Sequence, residues 1–200
     1  MSKTTSVDPT RVFINAPFDR AYEPLFITLV GMITFLEYKP RCVLEVRETG
    51  EGRLQRIFEL MRSCRISLHD MSRIGTPTRF NMPFELGLAC SLKLQEPNRY
   101  EVLVLDSTEY RLDRRLSDYK GRDLFVHRAT HDGMVAALLD AFQSQNRDIS
   151  AFRRAARKLR SSVATIKRDA RTATIFHPYL FPRITNAAAD VATAYRLIAP

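Results

Sequence analysis

The stretch "FNMPFELGLA" (80–89) places one carboxylate, Glu85, after an asparagine and two phenylalanines. Asn81 is a good helix N-cap, and Pro83 fits a first helical turn because that amide has no intrahelical partner. The spacing therefore predicts Glu85 near a helix N-terminus, where the dipole favours its ionised form. An ionised carboxylate at a pocket mouth suits a nucleophile or a stabiliser of an oxocarbenium ion better than a general acid. Phe80 and Phe84 beside it can stack on a flat base or a nicotinamide ring. The competing reading is a dipole-complementing acid next to core phenylalanines.

Other candidate residues fall at strand ends. In "NAPFDRAY" (15–22), Asn15 and Asp19 can hydrogen-bond a ribose while Pro17 and Phe18 shape a crevice wall. Alternatively, Asp19 starts a helix and Phe18 packs. Asp70 ends "RISLHD" and can orient a ribose hydroxyl or support Glu85, or else close an Asx-turn onto Ser72. Arg79 is a candidate phosphate contact. Glu45 and Asp106 sit at further strand ends, and Asp123 and His127 approach from a fifth strand. "ETGEGR" (48–53) lacks the spacing of either nucleotide-binding glycine motif and reads as a loop.

These residues need a scaffold that gathers strand ends. Strand patterns at 11–15, 42–46, 65–70, 101–106 and 123–127 alternate with helix patterns at about 23–36, 53–62, 81–94 and 132–143. The second helix carries Leu54, Ile57, Phe58 and Met61 at helical spacing. Short apolar strands alternating with helices predict an α/β fold: a flavodoxin-like, doubly wound, mostly parallel sheet of about five strands. Ligands in such sheets bind outside the carboxyl ends of the strands. The uncharged run "LFITLVGMITFL" (25–36) is short for a membrane span and reads as a buried core element.

From about residue 148 the pattern changes. Phe152, Ala155, Leu159, Val163, Ile166 and Ala170 mark an apolar helical stripe with Arg and Lys largely off it. A connector, "FHPYLFPR", precedes a last helix at 185–198. The net charge is +9, and residues 147–200 hold 11 Lys/Arg against 3 Asp/Glu. The tail thus carries +8 and the first 146 residues +1. The division expected is an α/β domain over 1–146 and a basic helical C-terminal extension over 147–200. That extension can track phosphates on nucleic acid or meet an acidic protein partner.

Three cysteines without a CxxC spacing, and a start (MSKTTSVDPT) without an apolar leader core, lead to the expectation of a cytoplasmic chain with reduced thiols. No membrane association is expected. The four isolated histidines suggest no metal site.

"VFINAPFDRAY", "ISLHDMSR" and "FNMPFELGLA", in this order, resemble the superfamily that joins TIR domains and nucleoside 2-deoxyribosyltransferases, and bacterial TIR-like proteins in particular. The resemblance spans about residues 11–146. It implies a flavodoxin-like fold and cleavage of an N-glycosidic bond in NAD or a nucleoside, with Glu85 in the position of the catalytic glutamate and Asp70 assisting. NAD or a nucleotide is then the substrate and no separate cofactor is required. Such relatives are found in bacterial signalling and antiviral defence. Two departures shift the expected substrate. The loop "RIGTPTRF" carries Arg73 and Arg79 where deoxyribosyltransferases tend to have an aspartate, which favours phosphate-bearing substrates. The usual TIR tryptophan is absent, leaving Phe80 or Phe84 in its place. The alternative is a non-enzymatic, nucleotide-sensing or self-assembling TIR-like module whose basic tail binds a partner.

Overall fold

The computed structural model describes residues 8–46, 52–73, 81–119, 123–145 and 148–198. Five strands form one all-parallel sheet: β1 (Asp8–Asn15), β2 (Lys39–Cys42), β3 (Cys64–Asp70), β4 (Glu101–Asp106) and β5 (Phe125–Val126), in the order β2-β1-β3-β4-β5. Asn15 lies beside His69, Asp70 beside Leu105, and Asp106 beside Val126. The pleat turns Val12, Ile14, Ile66, Leu68 and Leu105 to one face, and Phe13 and Val104 to the other. Both faces are covered, which is why the central strands read as nearly continuous apolar runs.

One face carries α2 (Arg53–Arg62), α3 (Asn81–Gln95) and the short α4 (Arg111–Arg115). The other carries α1 (Glu23–Phe35), α5 (His131–Ala141), α6 (Ile149–Asp169) and α7 (Phe181–Ala194). Ten of the thirteen residues of α1 are buried. A helix apolar on all sides must be enclosed, and α1 lies between the sheet and α5, α6 and α7. The reading of 25–36 as a core element therefore holds. Gly31 lets α6 approach α1 closely: a Cβ there would stand 2.5 Å from Leu159 Cδ2.

The tail helices share the core of the sheet. Phe152, Leu159, Val163, Ile175, Phe181 and Ile184 belong to the same buried cluster as Val12, Phe26 and Leu68. A polar latch joins them: buried Glu23 accepts from Lys167 Nζ at 2.5 Å and from the Ile175 amide at 3.1 Å. Burial raises the Glu23 pKa, but hydrogen bonds from Lys167, Thr174 and Ile175 outweigh it and hold the group below its ordinary value.

The second strand differs from expectation. Its pairing runs over Lys39–Cys42, and Val43–Glu45 then turns in a 3-10 helix. Glu45 Oε1 accepts from the Cys42 amide at 3.0 Å while Arg41 Nε reaches Oε2 at 2.8 Å, so the local side chain folds the backbone out of the ladder. Glu45 is consequently not at the strand end. Pro40 is tolerated because β2 is an edge strand. Among the described residues no helix is long and apolar enough to cross a membrane.

Candidate functional site

In this strand order the chain leaves β1 for α1 on one face and β3 for α3 on the other. In sheets of this kind the ligand crevice lies at such a switch point, here outside the carboxyl ends of β1 and β3. Asn15 stands at its base, only 5% exposed. Its Nδ2 donates to His69 Nδ1 at 3.0 Å and to the Met82 carbonyl at 3.1 Å, which ties the end of β1 to the first turn of α3. Since His69 Nδ1 accepts, the ring proton lies on Nε2 and points to Ser67 Oγ at 2.6 Å. Complete burial pushes His69 down to about 3, so it is neutral at physiological pH. Asn15 and His69 form a neutral strut.

Asp70 follows His69, and the pleat sends it to the opposite face. There it is wholly buried and its oxygens are occupied. Tyr22 Oη donates to Oδ2, the Ser72 amide donates to Oδ1 at 2.9 Å, and His127 Nε2 lies 3.1 Å from Oδ2, close but off the hydrogen-bond line. The Ala129 amide donates to His127 Nδ1 at 3.1 Å, which leaves the ring proton on Nε2 toward Asp70. Burial alone would raise the Asp70 pKa. The contacts from His127, Ser72 and Tyr22 hold it below the ordinary value instead. The Asx-turn onto Ser72 is thus present, and Asp70 acts as a rivet joining β3, the β1–α1 loop and the turn after β5.

That turn is sterically tight. A Cβ on Gly133 would fall 2.1 Å from the His127 carbonyl oxygen and 2.7 Å from Thr130 Oγ1. Gly133→Ala is expected to displace the turn holding His127 and to destabilise the fold by about 1–3 kcal/mol or more, as overpacking does. Thermal unfolding checks this, and an unchanged midpoint would contradict the account of the rivet.

Asp19 links the two crevice loops. Its Oδ1 accepts from the Tyr22 amide at 3.0 Å, and Oδ2 lies 3.3 Å from Arg73 Nε. Phe18 packs edge-on against Phe26 and Phe176, at ring separations of 5.6 and 5.2 Å, and so turns toward α1 and the tail. Pro17 beside it is buried. Phe18 is therefore an aromatic-core residue and not part of the crevice wall. Arg79 and Phe80 lie outside the described residues.

Asn81 is the first residue of α3, and Glu85, the fifth, lies just past its first turn. Helical spacing puts Asn81, Phe84, Glu85 and Leu88 on one face. Leu88 packs into the cluster between α2 and α3, Asn81 is exposed, and the Phe84 side chain is 53% exposed. Glu85 is half-buried. Burial pushes its carboxyl up to about 7, against the opposing charge of Arg53 at the start of α2. This corrects the expectation of a dipole-stabilised, fully ionised group: desolvation wins over the helix end one turn away. Among the described residues no hydrogen bond or ion pair engages the Glu85 carboxylate.

The structure therefore brings Asn15, Asp19 and Arg73 to the carboxyl ends of β1 and β3, with Glu85 on α3 three residues beyond Asn15's tether at Met82. It separates Asp70 from Glu85 by the thickness of the sheet. Residues the sequence did not single out are Tyr22 and His69; the polar alternation of Ser67 and His69 within an apolar strand was the available signal. Asp123 is exposed, and Asp106 is occupied by Arg111 and the Ser107 amide. Among the described residues no group of three or more His, Cys, Asp or Glu is placed to hold a metal. The chain matches no protein-family model, no curated protein and no solved structure.

Proposed function

We propose that the protein cleaves an N-glycosidic bond in NAD or a related pyridinium nucleotide, with Glu85 as the acting carboxylate. The observation that carries this reading is the state of Glu85: a half-buried carboxyl lifted to about 7, beside an exposed phenylalanine, at the switch point of a doubly wound sheet. Perturbed titratable groups in such crevices are the usual mark of a reacting centre.

Among the described residues, Asp19 is engaged by the Tyr22 amide and Arg73, which leaves Glu85 as the acid without a hydrogen-bond partner, and this selects the substrate. Hydrolysis of most glycosides uses two carboxyl groups, one to protonate the leaving group. Asp70 is turned to the other face and saturated with partners, so Glu85 acts without it. A pyridinium base needs no protonation, because it departs neutral when the C1′–N bond breaks and the electron pair stays on nitrogen. Glu85 then opposes the positive charge developing on the ribose, water adds to C1′, and a proton is released to solvent. Arg53 and Arg73 supply positive charge for the phosphates, and Phe84 offers a face for the ring.

The test is product analysis with the purified protein, supplied in parallel with NAD, NADP and unmodified purine nucleosides. Release of nicotinamide from the dinucleotides, with the nucleosides left intact, is expected. Cleavage of nucleosides alone, or of nothing at any protein concentration, would overturn the reading.

A further inference from the structure

The outward face of α6 is a row of exposed cations. Helical geometry places Arg154, Arg157, Lys158, Ser161, Thr165 and Arg168 on one side, and all six are exposed. The opposite side, centred on Phe152, Ala156, Leu159 and Val163, is sealed in the core. The basic residues on the flanks have structural partners: Arg153 lies 3.6 Å from Asp132, Arg160 donates to Thr28 Oγ1 at 3.2 Å, and Lys167 latches Glu23. Among the described residues, no ion pair engages Arg154, Arg157, Lys158 or Arg168. Arg154 and Arg168 donate to the hydroxyls of Ser150 and Thr165, at 3.0 and 3.3 Å, and the Arg154 charge also acts on Asp148 at the helix start. Asp169 closes the far end of the face.

We propose that this face binds the phosphate backbone of a duplex nucleic acid without reading its sequence. At 1.5 Å per residue the row from Arg154 to Arg168 is about 21 Å long. A duplex presents a charge every ~1.7 Å of its axis, so a row of this length meets several phosphates at once. Three of the four cations are arginines, whose planar fork matches phosphate oxygens. Other polyanionic surfaces fit less well. An interfacial membrane helix sinks its apolar side into lipid, and here that side is already buried against α1 and α5. Single strands are held by stacking on aromatic platforms, and this face has no aromatic residue. The proposal does not depend on the chemistry at Glu85.

The experiment uses the full chain with short, mixed-sequence DNA and RNA duplexes, and with a single strand, poly-glutamate and phosphatidylserine vesicles as competitors. Four phosphate contacts predict a log–log salt slope of about −3.6, or roughly 100-fold weaker binding on going from about 50 to 200 mM salt. The variant carrying Arg154→Gln, Arg157→Gln, Lys158→Gln and Arg168→Gln should keep a melting temperature close to the wild type's, since all four side chains are exposed and their hydrogen bonds are to surface hydroxyls. It should lose most of the duplex affinity and flatten the slope by about one unit per cation removed. Comparison of the DNA and RNA arms identifies the duplex preferred. Undiminished binding by the folded variant, absence of duplex binding by the wild type at low salt, or tighter binding of the single strand, poly-glutamate or vesicles would each overturn the proposal.

Discussion

A chain ended at residue 146 is expected to fail to fold, although it retains every strand of the sheet and every residue of the crevice. The reason is the enclosure of α1. Removing α6 and α7 takes away Phe152, Leu159, Val163, Ile175, Phe181, Ile184 and Val191, each buried to within a few per cent. Burial of such side chains contributes about 1.5–3 kcal/mol apiece, so together they outweigh roughly 10 kcal/mol. That is comparable with the whole stability of an ordinary domain, about 5–15 kcal/mol. The same cut leaves buried Glu23 without Lys167 and the Ile175 amide, an uncompensated charge that costs further. Circular dichroism and gel filtration of the 1–146 fragment should show a molten or aggregated species. A monomeric fragment with a cooperative melt would show that the tail is an appendage after all.

Glu85→Gln is the second change with a large expected effect, and it should act on catalysis while sparing the fold. Glutamine keeps the shape but cannot oppose a developing ribosyl cation, and loss of such electrostatic stabilisation costs on the order of 100-fold or more in kcat. Stability should move the other way. A carboxyl lifted from 4.5 to about 7 in the folded state binds more protons than the unfolded chain between those values, so wild-type stability falls as pH rises through that window. The variant lacks this loss. It should match the wild type near pH 4 and be more stable above pH 7, by an amount on the order of 2 kcal/mol. A folded variant with wild-type turnover would remove Glu85 from the mechanism.

How far these features were legible follows from the range of the forces that set them. The second helix was readable to the residue, Arg53–Arg62, because its stripe of Ile57 and Met61 is a local periodicity. The edge strand was not, because Lys39 and Pro40 are poor strand formers whose placement depends on pairing with β1. The short α4 follows from Arg111 pairing with Asp106, a contact that no periodicity announces. Within the site, Asn15 was located by its position at a strand end and Glu85 by the helix start that Asn81 and Pro83 announce. The direction of Asp70 was not readable, since in a strand buried on both sides the alternation does not say which face is which. The titration of Glu85 depends on burial between helices and on Arg53, thirty-two positions earlier in the chain, and so escapes any local motif.

The pH dependence of kcat/KM for nicotinamide release from NAD tests the central claim most directly, because it reads the protonation of the acting carboxyl in the free enzyme. Below about 7 the group is protonated and cannot oppose the ribosyl cation, so the rate should rise tenfold per pH unit and level off above about 7. Glu85→Gln should abolish this limb along with the activity. Release of nicotinamide at a rate independent of pH across that range, or a limb that survives in Glu85→Gln, would contradict the account.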